Sequence, residues 1–134
     1  MEQSDNILTV KHLKKSYKTS SGVIDVLKDV NLELGNGVTA ILGPNGAGKT
    51  TLIKICTDLL NFDEGQVTYC GKDLKSMTKK EKSQTFSLLS EGSRNLYYKL
   101  TPLENIKYFA TLRGIPFESI KEYSLNLLQK LNLY

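Results

Sequence analysis

Gly43-Pro44-Asn45-Gly46-Ala47-Gly48-Lys49-Thr50 constrains the fold more than any other stretch of this 134-residue chain. It matches G-x-x-x-x-G-K-[ST] at every fixed position, which chance gives in a chain of this length at well under ~1%. Glycines at 43, 46 and 48 let the backbone bend, so that successive N–H groups turn inward and approach an anion closely. Before the loop, residues 38–42 (Val-Thr-Ala-Ile-Leu) predict a short strand of the kind buried on both faces in a parallel sheet. After it, Leu52, Ile55, Cys56, Leu59 and Leu60 recur at helical spacing across residues 51–60. A strand, a glycine loop and a helix in that order make a phosphate site. The helix start contributes unsatisfied N–H groups and the positive end of its dipole. Lys49 places a full charge at the β- and γ-phosphates, Thr50 offers a hydroxyl to Mg²⁺, and Thr51 adds another near the α-phosphate.

The rest of the chain supplies a frame for that loop. Residues 7–16 predict a strand, Thr19-Ser20-Ser21-Gly22 a turn, and residues 23–34 a second strand, closed by the turn signal Gly35-Asn36-Gly37. Asp63-Glu64-Gly65 turns the chain into a short β segment at residues 66–70, and residues 86–89 predict a further strand. Thr78 and Glu81 have the spacing of a capping box. Thr101, Pro102 and Glu104 make a stronger helix start, and that helix closes at Gly114. A last helix over residues 117–131 carries Phe117, Ile120, Leu127, Leu128 and Leu131 in one stripe. The predicted class is α/β: a P-loop NTPase core preceded by an antiparallel β subdomain.

Composition narrows the function further. The hydrophobic share of 40% and charged share of 24% exclude a disordered or fibrous chain, and the length predicts one domain. No apolar run approaches the ~18–20 residues that a membrane span needs. The polar, acidic stretch Met1-Glu2-Gln3-Ser4-Asp5 is unlike a secretory signal, so a cytosolic chain is expected. The net charge of +4 is dispersed, and its densest run, Lys72 to Lys82, is interrupted by Asp73 and Glu81. That reads as a solvated helix and turn, not as a nucleic-acid face. Cys56 and Cys70 are expected to be buried and reduced; with His12 as the only histidine they build neither a structural zinc site nor a redox pair.

The loop and its flanks resemble the nucleotide-binding domain of ABC transporters, in particular ATPases paired with ABC-2-type exporters. Residues 43–51 have that family's usual Walker A wording. Residues 26–34 resemble the strand before it, residues 61–67 the turn and strand after it, and residues 91–105 the segment after its Q-loop. The resemblance covers essentially all of this chain but about the first half of a family domain, so residues 1–134 are expected to be a partial ATP-binding domain, incomplete at its C-terminal end. It implies ATP and Mg²⁺ as ligands, with Tyr17 as the A-loop aromatic stacking on adenine and Gly43, Pro44, Asn45, Gly46, Ala47, Gly48, Lys49, Thr50 and Thr51 holding the triphosphate. It also implies a transmembrane permease subunit facing residues 91–98, a second ATP-binding domain, and a peripheral place at the inner face of the cell membrane without direct insertion.

One departure stands where the family has its Q-loop glutamine. Ser90 and Glu91 occupy that place, and a carboxylate at Glu91 is expected to ligate Mg²⁺. Glu91→Ala tests this, since an unchanged Mg²⁺ dependence of nucleotide affinity would end the idea. No signature motif, no four-residue apolar run followed by an acid and no histidine after His12 occurs. The expected activity is therefore ATP binding without turnover by these residues alone, no catalytic residue being assigned. Two alternatives are a non-catalytic interaction fragment that competes for the permease and a small P-loop kinase. A GTPase is excluded by the lack of Asn-Lys-x-Asp.

Overall fold

The tight turn at Ser20-Ser21 folds β1 (Leu8–Thr19) back onto β2 (Gly22–Leu34), in register from Thr19↔Gly22 to Leu8↔Leu34. The computed structural model describes residues 7–92 and 95–133. They form two compact units, which divide between Leu88 and Leu89. The first also holds β3 (Glu64–Tyr69), β4 (Lys72–Asp73), α1 (Lys49–Cys56) and α2 (Lys79–Thr85). Its sheet has the order β2-β1-β3-β4, and every neighbouring pair is antiparallel.

A bulge in β1 decides which of its residues enter the core. Val10 and Leu13, three positions apart, are 1% and 0% exposed, whereas a regular strand would send them to opposite faces. The ladder to β2 slips between them, where His12 adopts a φ of 50°. Asn31 Oδ1 accepts the His12 backbone N–H at 2.9 Å, and Asp29 Oδ1 lies 3.0 Å from His12 Nδ1. Glycine at position 65 permits the crossing, because a Cβ there would stand 2.5 Å from the His12 carbonyl oxygen. Val10 and Leu13 then pack with Leu27, Val67, Leu52, Ile55, Leu74 and Met77. Each such side chain contributes roughly 1.5–3 kcal/mol of transfer free energy.

Two expected strands are absent. Residues 38–42 and 86–89 are irregular and pair with no strand among the described residues, and Val38 and Leu42 are almost fully exposed. A strand buried on both faces needs ladder partners, and the antiparallel sheet runs from β2 to β4 without including either segment. Only single side chains are anchored: Ile41 packs against the core, and Phe86 meets Tyr69 edge to face at 5.4 Å. The expectation of two buried cysteines is half right. Cys56 is half-buried, and burial pushes its thiol up to about 11; Cys70 is exposed on the β3–β4 turn, and both thiols are free.

In the second unit, α3 (Pro102–Leu112) starts on the expected capping box, with Glu104 Oε2 accepting the Thr101 N–H at 2.8 Å. The backbone N–H and hydroxyl of Thr101 hold the Glu104 carboxyl below its usual range. Asn105, which is buried, braces the turn before the helix. Its amide donates to the carbonyls of Tyr97, Leu100 and Thr101 at 3.1 Å each, and its oxygen accepts the Tyr97 N–H at 2.8 Å. After a turn at Gly114, α4 (Phe117–Lys130) packs a stripe of Phe117, Ile120, Ser124 and Leu128. The expected stripe used Leu127 and Leu131, which are largely exposed; buried Ser124 occupies the intervening turn by bonding its own helix at the Ile120 carbonyl.

Candidate phosphate-binding site

The helix start at Lys49 differs from the others in what occupies its free N–H groups. Both α2 and α3 begin on complete capping boxes, with Thr78–Glu81 and Thr101–Glu104 taking the end donors. α4 has Glu118 in its first turn. α1 has Gly48 at its N-cap, no side-chain cap and no acid in its first turn. Its first helical bond runs from the Leu52 N–H to the Gly48 carbonyl at 2.9 Å. Helix geometry therefore leaves the N–H groups of Lys49, Thr50 and Thr51 without an i−4 partner. An uncapped, acid-free helix start suits an anion.

The loop is already curled around that end. Gly46 and Gly48 have φ of 81° and 92°, a region costly for side-chain-bearing residues, and Ala47 N–H donates to the Pro44 carbonyl at 3.2 Å. Lys49 reaches back over the loop, with Nζ donating to the carbonyls of Gly43 at 2.6 Å and Pro44 at 2.7 Å. The ammonium thus closes the ring between the first and last parts of the motif. Asn45 and Thr50 are exposed, while Thr51 is half-buried. Gly48 sits directly on β2: a Cβ there would lie 2.8 Å from Leu27 Cδ2 and 3.1 Å from both Val26 Cγ1 and the Val26 carbonyl. Val26 and Leu27 are hence the floor of the loop. Nothing in their spacing marked them, since they look like any two strand residues.

Tyr17 lies on β1 opposite Ile24 and is 38% exposed as a residue, with Lys15 Nζ 5.4 Å from the ring centroid. A brace fixes this part of β1. Asp63 Oδ2 accepts the Ser16 N–H at 2.7 Å and the Ser16 hydroxyl at 2.9 Å, and its Oδ1 takes Lys15 Nζ at 3.0 Å. The Ser16 backbone bond, then Lys15 and the Ser16 hydroxyl, hold the Asp63 carboxyl down to about 2. Sequence reading marked Asp63 as a turn former alone. Glu91 is exposed and belongs to the second unit, and Ser93 and Arg94 of the expected partner-facing segment lie outside the described residues.

The site fits a Mg²⁺ that arrives with phosphate. No cluster of three or more His, Cys, Asp or Glu exists among the described residues. Mg²⁺ takes one or two protein oxygens and fills its octahedron with water and phosphate, and the exposed Thr50 hydroxyl is such an oxygen.

A sheet-backed glycine loop leading into an uncapped helix defines the P-loop class of fold. Within that class the chain belongs to the ABC transporter family: the family model described as "ABC transporter" matches residues 27–133. It is 33% identical to the ABC transporter ATP-binding protein NatA of Bacillus subtilis, over 86% of this chain and 47% of NatA. It is also 33% identical to the lantibiotic transport ATP-binding protein SrtF of Streptococcus pyogenes, over 95% of this chain and 50% of SrtF. Among solved structures, the dimeric post-hydrolysis state of the ATP-binding cassette MJ0796 bound to ADP and Pi matches with a TM-score of 0.69. That match is 26% identical and covers 91% of this chain and 56% of the cassette. The chain thus spans about half the length of these relatives. Among the described residues no helix is long and apolar enough to cross a membrane.

Proposed function

We propose that this chain is the nucleotide-holding part of an ABC transporter ATP-binding subunit, and that it binds Mg-ATP through residues 43–51 to serve transmembrane export. The observation that carries the reading is the uncapped start of α1 beneath a loop closed by Lys49. In this reading the N–H groups of the loop and of Lys49, Thr50 and Thr51 receive the β- and γ-phosphate oxygens. Lys49 keeps its loop carbonyls and adds its remaining hydrogen to a phosphate, so little reorganisation is required. The Thr50 hydroxyl holds the cation, with Glu91 proposed as a second oxygen; when bound, Mg²⁺ neutralises phosphate charge. Tyr17 offers an exposed ring face to adenine, which gives affinity with little base selectivity. Residues 91–98 meet a permease at the cytoplasmic face, and a second ATP-binding domain completes the assembly. NatA, named as an ABC transporter ATP-binding protein, and SrtF, named as a lantibiotic transport ATP-binding protein, support this reading.

Lys49→Ala tests it. Removing a charge-assisted donor from the phosphates and the ring closure from the loop should weaken ATP binding by about 100-fold, read by titration with a fluorescent ATP analogue. Unchanged affinity would overturn the site. The same preparation should show no phosphate release above background, because the residues present contain no positioned base for the attacking water.

A further inference from the structure

β1 loses its neighbour on one side just before Tyr17. The ladder to β3 ends at Lys14↔Glu64, and beyond it Tyr17 pairs with Ile24 of β2 alone among the described residues. Asp63 takes over on the open side. Its backbone N–H donates to the Lys14 carbonyl at 3.0 Å, its Oδ2 accepts both donors of Ser16, and its Oδ1 lies 3.0 Å from Lys15 Nζ. The Lys15 side chain is only 14% exposed, and its ammonium stands over the Tyr17 ring. Lys15 also pairs with Leu27, the residue under Gly48. Tyr17 therefore follows the floor of the phosphate loop by two residues of β1, roughly 7 Å, within reach of a base whose phosphates lie on that loop.

We propose that Lys15, held by Asp63, is a positioning residue for the base of a bound nucleotide: its ammonium covers one face of the Tyr17 ring, so the base stacks on the other face of a ring whose orientation is set before binding. The inference rests on the reading of Tyr17 as the adenine-stacking residue and goes beyond it. A tyrosine near a strand end ordinarily has two free faces and several rotamers, whereas here a cation takes one face. Two effects follow. A side chain already ordered gives up less freedom when the base arrives, an effect of about fivefold in affinity. A cation also draws the ring's π cloud toward itself, which leaves the far face less negative and lowers its repulsion with the π cloud of a base. Neither effect involves the phosphates. The Asp63 carboxylate, 3.0 Å away, offsets the ammonium's charge, so Lys15 adds little to the general attraction for a polyanion.

Calorimetric titrations of the full chain with Mg-ATP and with magnesium tripolyphosphate, which has no base, test it. Lys15→Met should weaken ATP about fivefold and leave tripolyphosphate within about twofold. Lys15→Arg, which keeps a cation over the ring, should restore most of the ATP affinity. In a Tyr17→Leu background Lys15→Met should change ATP affinity by less than about twofold, because the ring it acts through is gone. Asp63 keeps its bonds to Ser16 in these variants, so their melting temperatures should stay close to that of the parent chain. An unchanged ATP affinity in Lys15→Met, equal losses for ATP and tripolyphosphate, or the same ATP loss in the Tyr17→Leu background would each overturn the proposal. Lys49→Ala separates this role from the site itself, since it should weaken both ligands. If it does so while Tyr17→Leu leaves ATP unchanged, the phosphate loop stands and the role of Lys15 falls; tripolyphosphate binding indifferent to Lys49→Ala would sink the nucleotide site and this role with it.

Discussion

Replacing Gly48 by alanine puts two separable penalties on one atom. The φ of 92° is a region that L residues rarely adopt, at roughly 1–2 kcal/mol. The new methyl would also stand 2.8 Å from Leu27 Cδ2 and 3.1 Å from the Val26 carbonyl. Leu27 is only 4% exposed and packed in the core, so it has little room to retreat, and overpacking of this kind costs about 1–3 kcal/mol. Gly46 supplies the control, because its φ of 81° is similar while a Cβ there meets nothing within 4 Å. Gly46→Ala should therefore show the backbone penalty alone, and Gly48→Ala that penalty plus the contact. Urea unfolding should separate the variants by about 1–3 kcal/mol, equivalent to roughly 4–11 °C in Tm for a chain of this size. Both should weaken ATP, since both disturb the ring of N–H groups, but Gly48→Ala should also lift the start of α1 off β2. Equal stability losses in the two variants would refute the assignment of Val26 and Leu27 as the floor of the loop.

Three further outcomes follow from the same geometry. Gly65→Ala places a methyl 2.5–2.6 Å from the backbone carbonyls of His12 and Lys11 at a φ of 103°; backbone yields less than a side-chain tip, so the loss should reach about 3–5 kcal/mol by urea unfolding. Asp63 has its folded carboxyl near 2 against an ordinary 3.8, so the folded state holds fewer protons than the unfolded state between these values. Its contribution is present above about pH 4 and is lost as pH falls through 2; Asp63→Asn should flatten acid unfolding in that window. If adenine stacks on Tyr17, Tyr17→Ala should weaken ATP by about 1–3 kcal/mol while Tyr17→Phe keeps most of the affinity, measured by the same titration.

Much of the local structure was legible because its causes lie within a few residues of each other. Both capping boxes formed on Thr78–Glu81 and Thr101–Glu104, since a side chain bonding an N–H three residues away needs no distant partner. The hairpin turn at Ser20-Ser21 and the stop at Gly114 are similarly local. Helix α1 was expected to continue to Leu60 but ends at Cys56: the Thr57 hydroxyl bonds the Ile53 carbonyl, and Asp58 turns into a left-handed conformation at φ 57°. The apolar pattern beyond that point, with Leu59 exposed and Leu60 half-buried, follows a turn and not a helical face.

What the sequence alone determined is the glycine loop itself: three glycines, a lysine and a threonine at fixed spacing, whose backbone freedom and charge act over eight consecutive residues. The tertiary structure decided what holds that loop in place. Val26 and Leu27 lie under Gly48, Asp63 reaches Lys15 across 48 residues, and Gly65 meets His12 at a bulge that turns both Val10 and Leu13 inward. It also left residues 38–42 outside the sheet, although their composition is that of a buried strand. The reason is physical: an apolar run expresses a preference for burial, but a strand exists only where another backbone accepts its hydrogen bonds.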